Sequence, residues 1–183
     1  MHCGNVAVIM PEMAMPEIKP ASASGSRAQQ HAELQRSLSA LLAGEDDAMA
    51  NMANFAALVY ATLPDLNWAG FYLLRGGQLV LGPFQGRPAC VRIAIGRGVC
   101  GAAVARRASI VVPDVHEFPD HIACDPLSRS ELVVPFFKNG ALRGVFDLDS
   151  PLPGRFDAAD QAGIETALRL FTAATSLPPQ LTL

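Results

Sequence analysis

Three of the four cysteines in the chain, Cys90, Cys100 and Cys124, lie in its glycine- and histidine-rich middle. A cysteine attacks as the thiolate, which a nearby cation, a helix N-terminus or a polar exposed environment favours. Basic side chains accompany Cys124 in its loop: His116, His121 and Arg129. Cys100 stands in the first turn of a predicted helix, which also favours a thiolate. Cys124 is therefore predicted to be the most reactive thiol, whereas Cys90 lies in a predicted strand and could face either side of the sheet.

Each cysteine could instead be a small buried apolar residue, which is the usual role of an isolated thiol. Structural zinc sites usually contain two cysteines separated by about two to four residues. Here nine residues separate Cys90 from Cys100, and 23 separate Cys100 from Cys124. The turn at Gly96–Gly101 lacks the Gly-Lys-Ser/Thr ending of a phosphate-binding loop and the spacing of a dinucleotide-binding turn. The sequence therefore predicts neither a metal nor a cofactor.

Two aspartates, Asp147 and Asp149, alternate along an otherwise apolar predicted strand, so both point to one face of the sheet. The pair could mark a solvated face of the strand. Alternatively, it could line a pocket that binds an ammonium group or donates a proton. In such a pocket, neighbouring carboxylates raise the pKa of one of them and keep a proton available near neutral pH.

Glu131 opens the partner strand of the same predicted hairpin, which turns at Asn139-Gly140, a pair suited to a type I′ turn. A strict two-residue turn pairs Ser130 with Asp149, so that Glu131 points away from both aspartates. A bulge, a longer turn or an end-of-strand reach is needed to bring Glu131 to them. The register of the hairpin therefore decides whether the three acids meet.

Trp68, the only tryptophan, begins another predicted hairpin together with Phe71 and Tyr72. Alternation along a strand places Trp68 and Tyr72 on one face and Phe71 on the other. The first two could be core residues. They could equally form one wall of an apolar pocket for a methyl or thioether group.

The spacing of apolar residues predicts the elements that would position these groups. Predicted helices cover residues 27–43, 47–63, 99–107 and 157–175. Predicted strands cover residues 67–74, 78–82, 89–95, 109–112, 131–137 and 141–149, with an ordered loop over 113–128. This order predicts an α+β domain with a mostly antiparallel sheet. We expect the N- and C-terminal helices on one face of the sheet and a loop-lined pocket on the other.

The chain has 183 residues, a formal net charge of −3, a pI of about 5.7 and a mean hydropathy of +0.25. This composition suits one folded domain. It contains no basic stripe and no long apolar run, so we expect neither a nucleic-acid nor a membrane partner. Residues 1–26 are predicted to form a disordered extension that holds Cys3, residues 27–176 the domain, and residues 177–183 a tail. The absence of a signal-peptide core predicts a cytoplasmic location.

Six segments of the chain closely resemble the free methionine-(R)-sulfoxide reductases, which are single GAF-domain enzymes. They are Leu81–Gly86, Ala89–Ile93, Gly96–Gly101, His121–Asp125, Ser130–Pro135 and Gly144–Ser150. The likeness covers roughly Ala32 to Phe171 and includes three cysteines and three acids in matching contexts and order. It implies a six-stranded antiparallel GAF sheet, a homodimer and reduction of free L-methionine-(R)-sulfoxide to methionine.

The resemblance also implies roles for the cysteines. Cys124 would be the attacking thiolate, Cys90 the resolving partner and Cys100 an auxiliary thiol. Attack on the sulfoxide sulfur would release methionine and leave a sulfenic acid, which a second thiol converts to an intramolecular disulfide. A thioredoxin-type dithiol would then reduce that disulfide. Whether Cys90 or Cys100 resolves the sulfenic acid stays open.

By the same resemblance, three acids would bind the substrate and polarise the sulfoxide: Glu131, Asp147 and Asp149. The proton would come from Asp149 or Glu131, while Trp68 and Tyr72 would line the pocket. Two other functions are compatible with the same fold. One is a GAF sensor that binds a small ligand, such as a nucleotide or an amino acid, without chemistry. The other is a thiol redox switch that forms the disulfide but leaves methionine sulfoxide unchanged.

Overall fold

The elements occur in the predicted order within residues 26–121 and 125–177, the parts of the chain that the computed structural model describes. The helices in these ranges are α1 (Arg27–Leu41), α2 (Ala48–Thr62), α3 (Gly98–Arg106) and α4 (Ala158–Ala174). The strands are β1 (Trp68–Arg75), β2 (Gln78–Gly86), β3 (Arg92–Ala94), β4 (Ile110–Val112), β5 (Ser130–Lys138) and β6 (Ala141–Ser150). A 3₁₀ turn, Val115–Glu117, lies in the predicted loop. None of these helices is both long and apolar enough to cross a lipid bilayer.

Aspartate side chains cap two helices where the sequence predicts that they begin. Asp47 accepts a hydrogen bond from the backbone N–H of Ala50 in the first turn of α2. At the start of α4, Asp157 and Asp160 each accept a hydrogen bond from the other's backbone N–H. Such caps satisfy N–H groups that have no partner within the helix.

One residue at each end of the described chain contacts the domain although the sequence places it in the extension or the tail. The side chain of Ser26, which the sequence places in the extension, accepts a hydrogen bond from the backbone N–H of Gln29 at the N-terminus of α1. Leu177, predicted to begin the tail, is only 6% exposed and packs into the core. Just before it, buried Thr175 accepts a hydrogen bond from Asn51 of α2. The remaining residues of the predicted extension and tail lie outside the described ranges.

The six strands form one sheet in the order β3-β2-β1-β6-β5-β4, with every neighbouring pair antiparallel. Helices α1, α2 and α4 cover one face, where Phe55 packs edge-on against Phe71 and Phe146 at ring-centre distances of 5.3 and 4.8 Å. Helix α3 and the loops lie on the other face, with Trp68 and Tyr72. The predicted α+β architecture, the two faces and the opposite orientations of Phe71 and Tyr72 are confirmed.

A β-bulge in the β5–β6 hairpin decides where Glu131 points. The turn pairs Lys138 with Ala141 as predicted, but the register shifts by one residue between Phe137 and Phe136. Glu131 consequently lies opposite Asp149, and the strict-turn pairing of Ser130 with Asp149 is wrong. Because β6 has one extra residue here, each β5 residue from Phe136 back to Ser130 pairs one position further along β6 than a strict turn would give. Glu131 and both aspartates therefore share the loop face of the sheet.

Gly144 allows β6 to approach β1 at this bulge. A Cβ added there would meet the carbonyl oxygen of Tyr72 and lie 3.0 Å from the Cα of Leu73. We expect Gly144→Ala to lower the free energy of unfolding by about 3 kcal/mol or more, because backbone atoms cannot move aside. Gly140→Ala is the matched control, since its Cβ would enter open space and only the left-handed backbone costs about 1–2 kcal/mol. Equal losses for both variants in urea unfolding would contradict this explanation.

Candidate active site

A cavity opens on the loop face of the sheet, between the middle strands and the start of α3. It holds about 530 Å³ of empty space, counting its solvent-open mouth. Its wall includes aromatic, basic, acidic and small residues: Trp68, Tyr72, Arg87, Ala89, Arg97, Cys100, His121, Asp125, Ser128, Glu131, Asp147 and Asp149. Among the described residues, every residue that the sequence predicts for the site lines this cavity, with the exception of Cys90. The residue before it, Ala89, does line the cavity.

Strand pairing brings the three predicted acids together. Asp149 lies opposite Trp68 on β1 and opposite Glu131 on β5, so these three side chains form one row across the sheet. Asp147 lies one step along the same face, opposite Gly70 on β1. Asp147 and Glu131 are 6% and 5% exposed. The solvated-face alternative is therefore wrong, because Asp147 is buried and half-buried Asp149 lies in the cavity wall.

Burial and mutual repulsion raise the pKa values of all three carboxyls. Loss of solvation is the main cause for each carboxyl. The second cause is a neighbouring negative charge, which is that of Asp149 for Glu131, that of Glu131 for Asp147, and that of Asp147 for Asp149. Asp147 also hydrogen bonds to Glu131 and to the thiol of Cys100. Placing several negative charges in this cavity is costly, so the surroundings favour the protonated forms of the Asp147 and Glu131 carboxyls and of the Cys100 thiol.

Cys100 does not have the activated thiol that its helix position predicts. It lies in the first turn of α3, but it is only 4% exposed. Burial, followed by the charges of Asp147 and Glu131, raises the pKa of its thiol well above the usual value. The prediction that the helix N-terminus favours a thiolate here is wrong, because desolvation and the adjacent carboxyls outweigh it.

The loop carrying Cys124 contributes the residues on either side of it to the cavity wall. Cys124 itself lies outside the described residues, whereas His121 and Asp125 line the cavity. His121 Nε2 lies 3.5 Å from Glu131 Oε2, and partial burial lowers the pKa of the imidazole. Asp125 Oδ2 accepts a hydrogen bond from Asn67 at 3.1 Å, which ties the loop to the start of β1.

The other two basic residues predicted to accompany Cys124 are engaged elsewhere. His116 and Arg129 both bind Asp114, at 2.8 Å in each case. The hydrogen bond from Arg129, followed by that from His116, holds the pKa of Asp114 well below its usual range. Of the three basic side chains in this loop, only His121 lies in the cavity wall.

Trp68 and Tyr72 are buried core residues on the loop face of the sheet, and they also line the cavity. Their rings stack with centres 5.8 Å apart. The indole N–H of Trp68 donates to the carbonyl of Arg87 at 3.1 Å, and the Tyr72 hydroxyl donates to the carbonyl of Cys90 at 2.9 Å. These bonds hold the segment between β2 and β3, including half-buried Cys90, against the aromatic wall.

Two arginines at the cavity were not identified from the sequence. Arg87 lies 3.7 Å from Asp125, and Arg97 precedes α3 and lies 3.4 Å from Asp120. Both side chains are at least 60% exposed. They place positive charge at the rim of a cavity whose floor is acidic. The sequence signal was weak, since Arg97 lies within the segment Gly96–Gly101, Arg87 directly follows Leu81–Gly86, and an isolated arginine carries no spacing pattern.

The buried carboxyls predict a stability that falls as the pH rises. Asp147 has a folded-state pKa above its ordinary value of 3.8, so the native state binds more protons than the unfolded state above that pH. Its contribution is fully present below pH 3.8 and is lost as the pH rises through the folded-state pKa. For each extra proton that the native state binds, the free energy of unfolding falls by up to about 1.4 kcal/mol as the pH rises by one unit.

We expect Asp147→Asn, which cannot ionise, to flatten this decline in urea unfolding measured from pH 2 to pH 8. Asp114→Asn is a control of opposite sign. The stabilisation from ionised Asp114 is present above 3.8, its ordinary pKa, and is lost as the pH falls below that value. An unchanged pH profile for Asp147→Asn would show that the buried carboxyl does not cause the decline.

Comparisons with known proteins place this site in a family. A GAF-domain family model matches residues 49–175. A free methionine-R-sulfoxide reductase of Escherichia coli is 53% identical over 134 residues, covering 73% of this chain and 81% of that protein. One from Saccharomyces cerevisiae is 40% identical over 146 residues, covering 75% and 81%. The structure of a free methionine-R-sulfoxide reductase from Neisseria meningitidis in complex with its substrate matches with a TM-score of 0.80 at 40% identity, covering 86% and 95%. The chain therefore belongs to the free methionine-(R)-sulfoxide reductases, a family of GAF-domain enzymes.

Proposed function

We propose that this enzyme reduces free L-methionine-(R)-sulfoxide to methionine with Cys124 as the nucleophile. The observation that carries the proposal is the row of acids, Glu131 and half-buried Asp149 with buried Asp147 beside them, in the cavity that His121 and Asp125 also line. Cys124 is bonded to Asp125 in the chain, and consecutive Cα atoms are about 3.8 Å apart. The proposal thus combines a proton source, a cavity lined by polar and aromatic groups, and a cysteine that directly precedes the wall residue Asp125 in the sequence.

The walls of the cavity complement each part of the amino-acid substrate. Stacked Trp68 and Tyr72 offer an apolar surface to the methyl group and the side-chain methylenes. The acids offer oxygen acceptors to the α-ammonium group, and Arg87 and Arg97 bring positive charge to the rim for the α-carboxylate. A free amino acid carries both charges, whereas a methionine sulfoxide within a peptide carries neither.

The chemistry starts with attack of the Cys124 thiolate on the sulfoxide sulfur. A protonated carboxyl, Glu131 or Asp149, hydrogen bonds to the sulfoxide oxygen and protonates it as the sulfur–oxygen bond polarises. The oxygen passes to the cysteine, methionine leaves, and Cys124 becomes a sulfenic acid. The raised pKa values of both carboxyls support this role, since they keep a proton available at a pH where ordinary carboxyls are ionised.

Recycling requires a second thiol, and the structure favours Cys90 over Cys100. Half-buried Cys90 lies in an irregular segment between strands, whereas Cys100 is buried on a helix and its pKa is raised. Condensation of the Cys90 thiol with the sulfenic acid forms a disulfide and releases water, and an external thioredoxin-type dithiol then reduces the disulfide. Cys100 is the auxiliary thiol that hydrogen bonds to Asp147. We further propose that the enzyme acts in the reducing cytoplasm as a homodimer.

One substrate panel tests the proposal. The full chain is incubated with dithiothreitol and four substrates, namely the R and S epimers of methionine sulfoxide, each as the free amino acid and within an N-acetylated, C-amidated peptide. We expect methionine to form from the free R epimer alone, because the cavity must hold both backbone charges and present one face of the sulfur to the nucleophile. Binding of the free R epimer without turnover would instead support a ligand sensor. Disulfide formation with peroxide but no reduction of any sulfoxide would support a redox switch.

A further inference from the structure

A set of metal-ligand atoms meets at the floor of the cavity, although the sequence contains no zinc-binding motif. The thiol of Cys100 and one carboxylate oxygen each from Glu131 and Asp147 lie within 4.8 Å of one another. All three side chains are buried. A zinc ion bonds to sulfur at about 2.3 Å and to carboxylate oxygen at about 2.0–2.2 Å. Small side-chain adjustments would therefore bring the three atoms into one coordination shell.

His121 lies beside this set but outside the group whose ligand atoms all fall within 4.8 Å of one another, so a rotation of its side chain would add it as a fourth donor. Its Nε2 lies 3.5 Å from Glu131 Oε2, close to the edge of a tetrahedron around an ion at about 2.0–2.2 Å from each atom. The four donors are one sulfur, one imidazole nitrogen and two carboxylate oxygens, a combination that suits Zn²⁺ and disfavours Mg²⁺ and Ca²⁺.

A second observation also favours a cation at this position. Asp147 Oδ1 is buried and has no hydrogen-bond partner among the described residues. Asp147 is only 6% exposed and lines the cavity. A buried carboxylate oxygen without a partner is costly and accommodates a cation readily.

We propose that Cys100, His121, Glu131 and Asp147 form a four-ligand Zn²⁺ site that excludes the substrate from the cavity. The ion would occupy the carboxyls that otherwise contact the sulfoxide and the ammonium group, so binding of Zn²⁺ and substrate is mutually exclusive. The inhibition rests on the proposed function, whereas the metal site itself does not. Zinc thus acts as a reversible inhibitor and not as a cofactor of the reduction.

Cobalt(II) provides a readout that does not depend on activity. The reduced full chain is titrated anaerobically with Co²⁺ and then with Zn²⁺. We expect one Co²⁺ per chain, with the strong visible bands of tetrahedral coordination and a sulfur-to-cobalt charge-transfer band, all of which Zn²⁺ abolishes. Cys100→Ser should remove the charge-transfer band, and His121→Gln should weaken binding by about tenfold or more. Circular dichroism establishes that each variant is folded, and His121→Gln keeps the test valid if Cys100→Ser does not fold.

Matched controls define the outcomes. His116→Gln and Cys3→Ser change a histidine and a cysteine that are not among the four ligands, and both should bind Co²⁺ like the wild type. Cys124→Ser should also keep the charge-transfer band. Loss of that band in Cys124→Ser, its persistence in Cys100→Ser, or no Co²⁺ binding would overturn the site.

Zn²⁺ that binds without raising the apparent KM for methionine sulfoxide would overturn the exclusion of substrate. An inactive chain with intact cobalt bands would refute the proposed function and leave the metal site standing.

Discussion

Replacing Cys124 with serine should lower methionine formation from free methionine-(R)-sulfoxide by at least about a thousandfold. The serine hydroxyl is nearly isosteric with the thiol, but it does not ionise near neutral pH and is a poor nucleophile toward sulfur. The cavity and its acids stay in place, so the variant should still bind the sulfoxide. The measurement is kcat by chromatography of the methionine produced, together with Kd for the sulfoxide by calorimetry.

Two further cysteine variants serve as controls for this prediction. Cys3→Ser changes a thiol outside the matched region and should retain full activity. Cys90→Ser should release about one equivalent of methionine per chain and then turn over slowly, because the sulfenic acid lacks its resolving partner. If Cys100→Ser shows this single turnover and Cys90→Ser does not, the resolving role belongs to Cys100. Full activity of Cys124→Ser would end the assignment of the nucleophile.

Replacing Glu131 with glutamine should lower kcat by about 100- to 10,000-fold, the usual contribution of a positioned general acid. Burial and the charge of Asp149 raise the pKa of Glu131, so its carboxyl holds a proton at pH values where an exposed glutamate has lost it. Wild-type activity should therefore fall as the pH rises through the pKa of the acid cluster. In Glu131→Gln this alkaline decline should disappear, and stopped assays across a pH series would measure both effects.

Glu117→Gln is the matched control for this change. Glu117 is an exposed glutamate on the 3₁₀ turn and is absent from the cavity wall, so kcat and its pH profile should remain unchanged. Asp149→Asn distinguishes the two candidate donors. If Asp149→Asn abolishes the alkaline decline while Glu131→Gln only raises KM, Asp149 is the proton donor and Glu131 binds substrate.

Local patterns in the sequence determined most of the architecture. Period-2 alternation placed Trp68 and Tyr72 on the face opposite Phe71, and the capping residue Asp157 marked the start of α4. The Asn139-Gly140 pair marked its turn, where both residues have positive φ angles of 53° and 75°. These predictions succeeded because each depends on a few adjacent residues and on the fixed geometry of helices and strands. The family motifs likewise identified the three acids from short segments.

The tertiary structure alone decided how these groups interact. The bulge that brings Glu131 opposite Asp149 arises from the pairing of two strands, and no residue within β5 signals it. Cys100 lies at a helix N-terminus that favours a thiolate, yet burial beside Asp147 raises its pKa. Strand register, desolvation and the distance between charges depend on residues that are far apart in the chain. For this reason the residue types of the site could be read from the sequence, but their contacts and protonation could not.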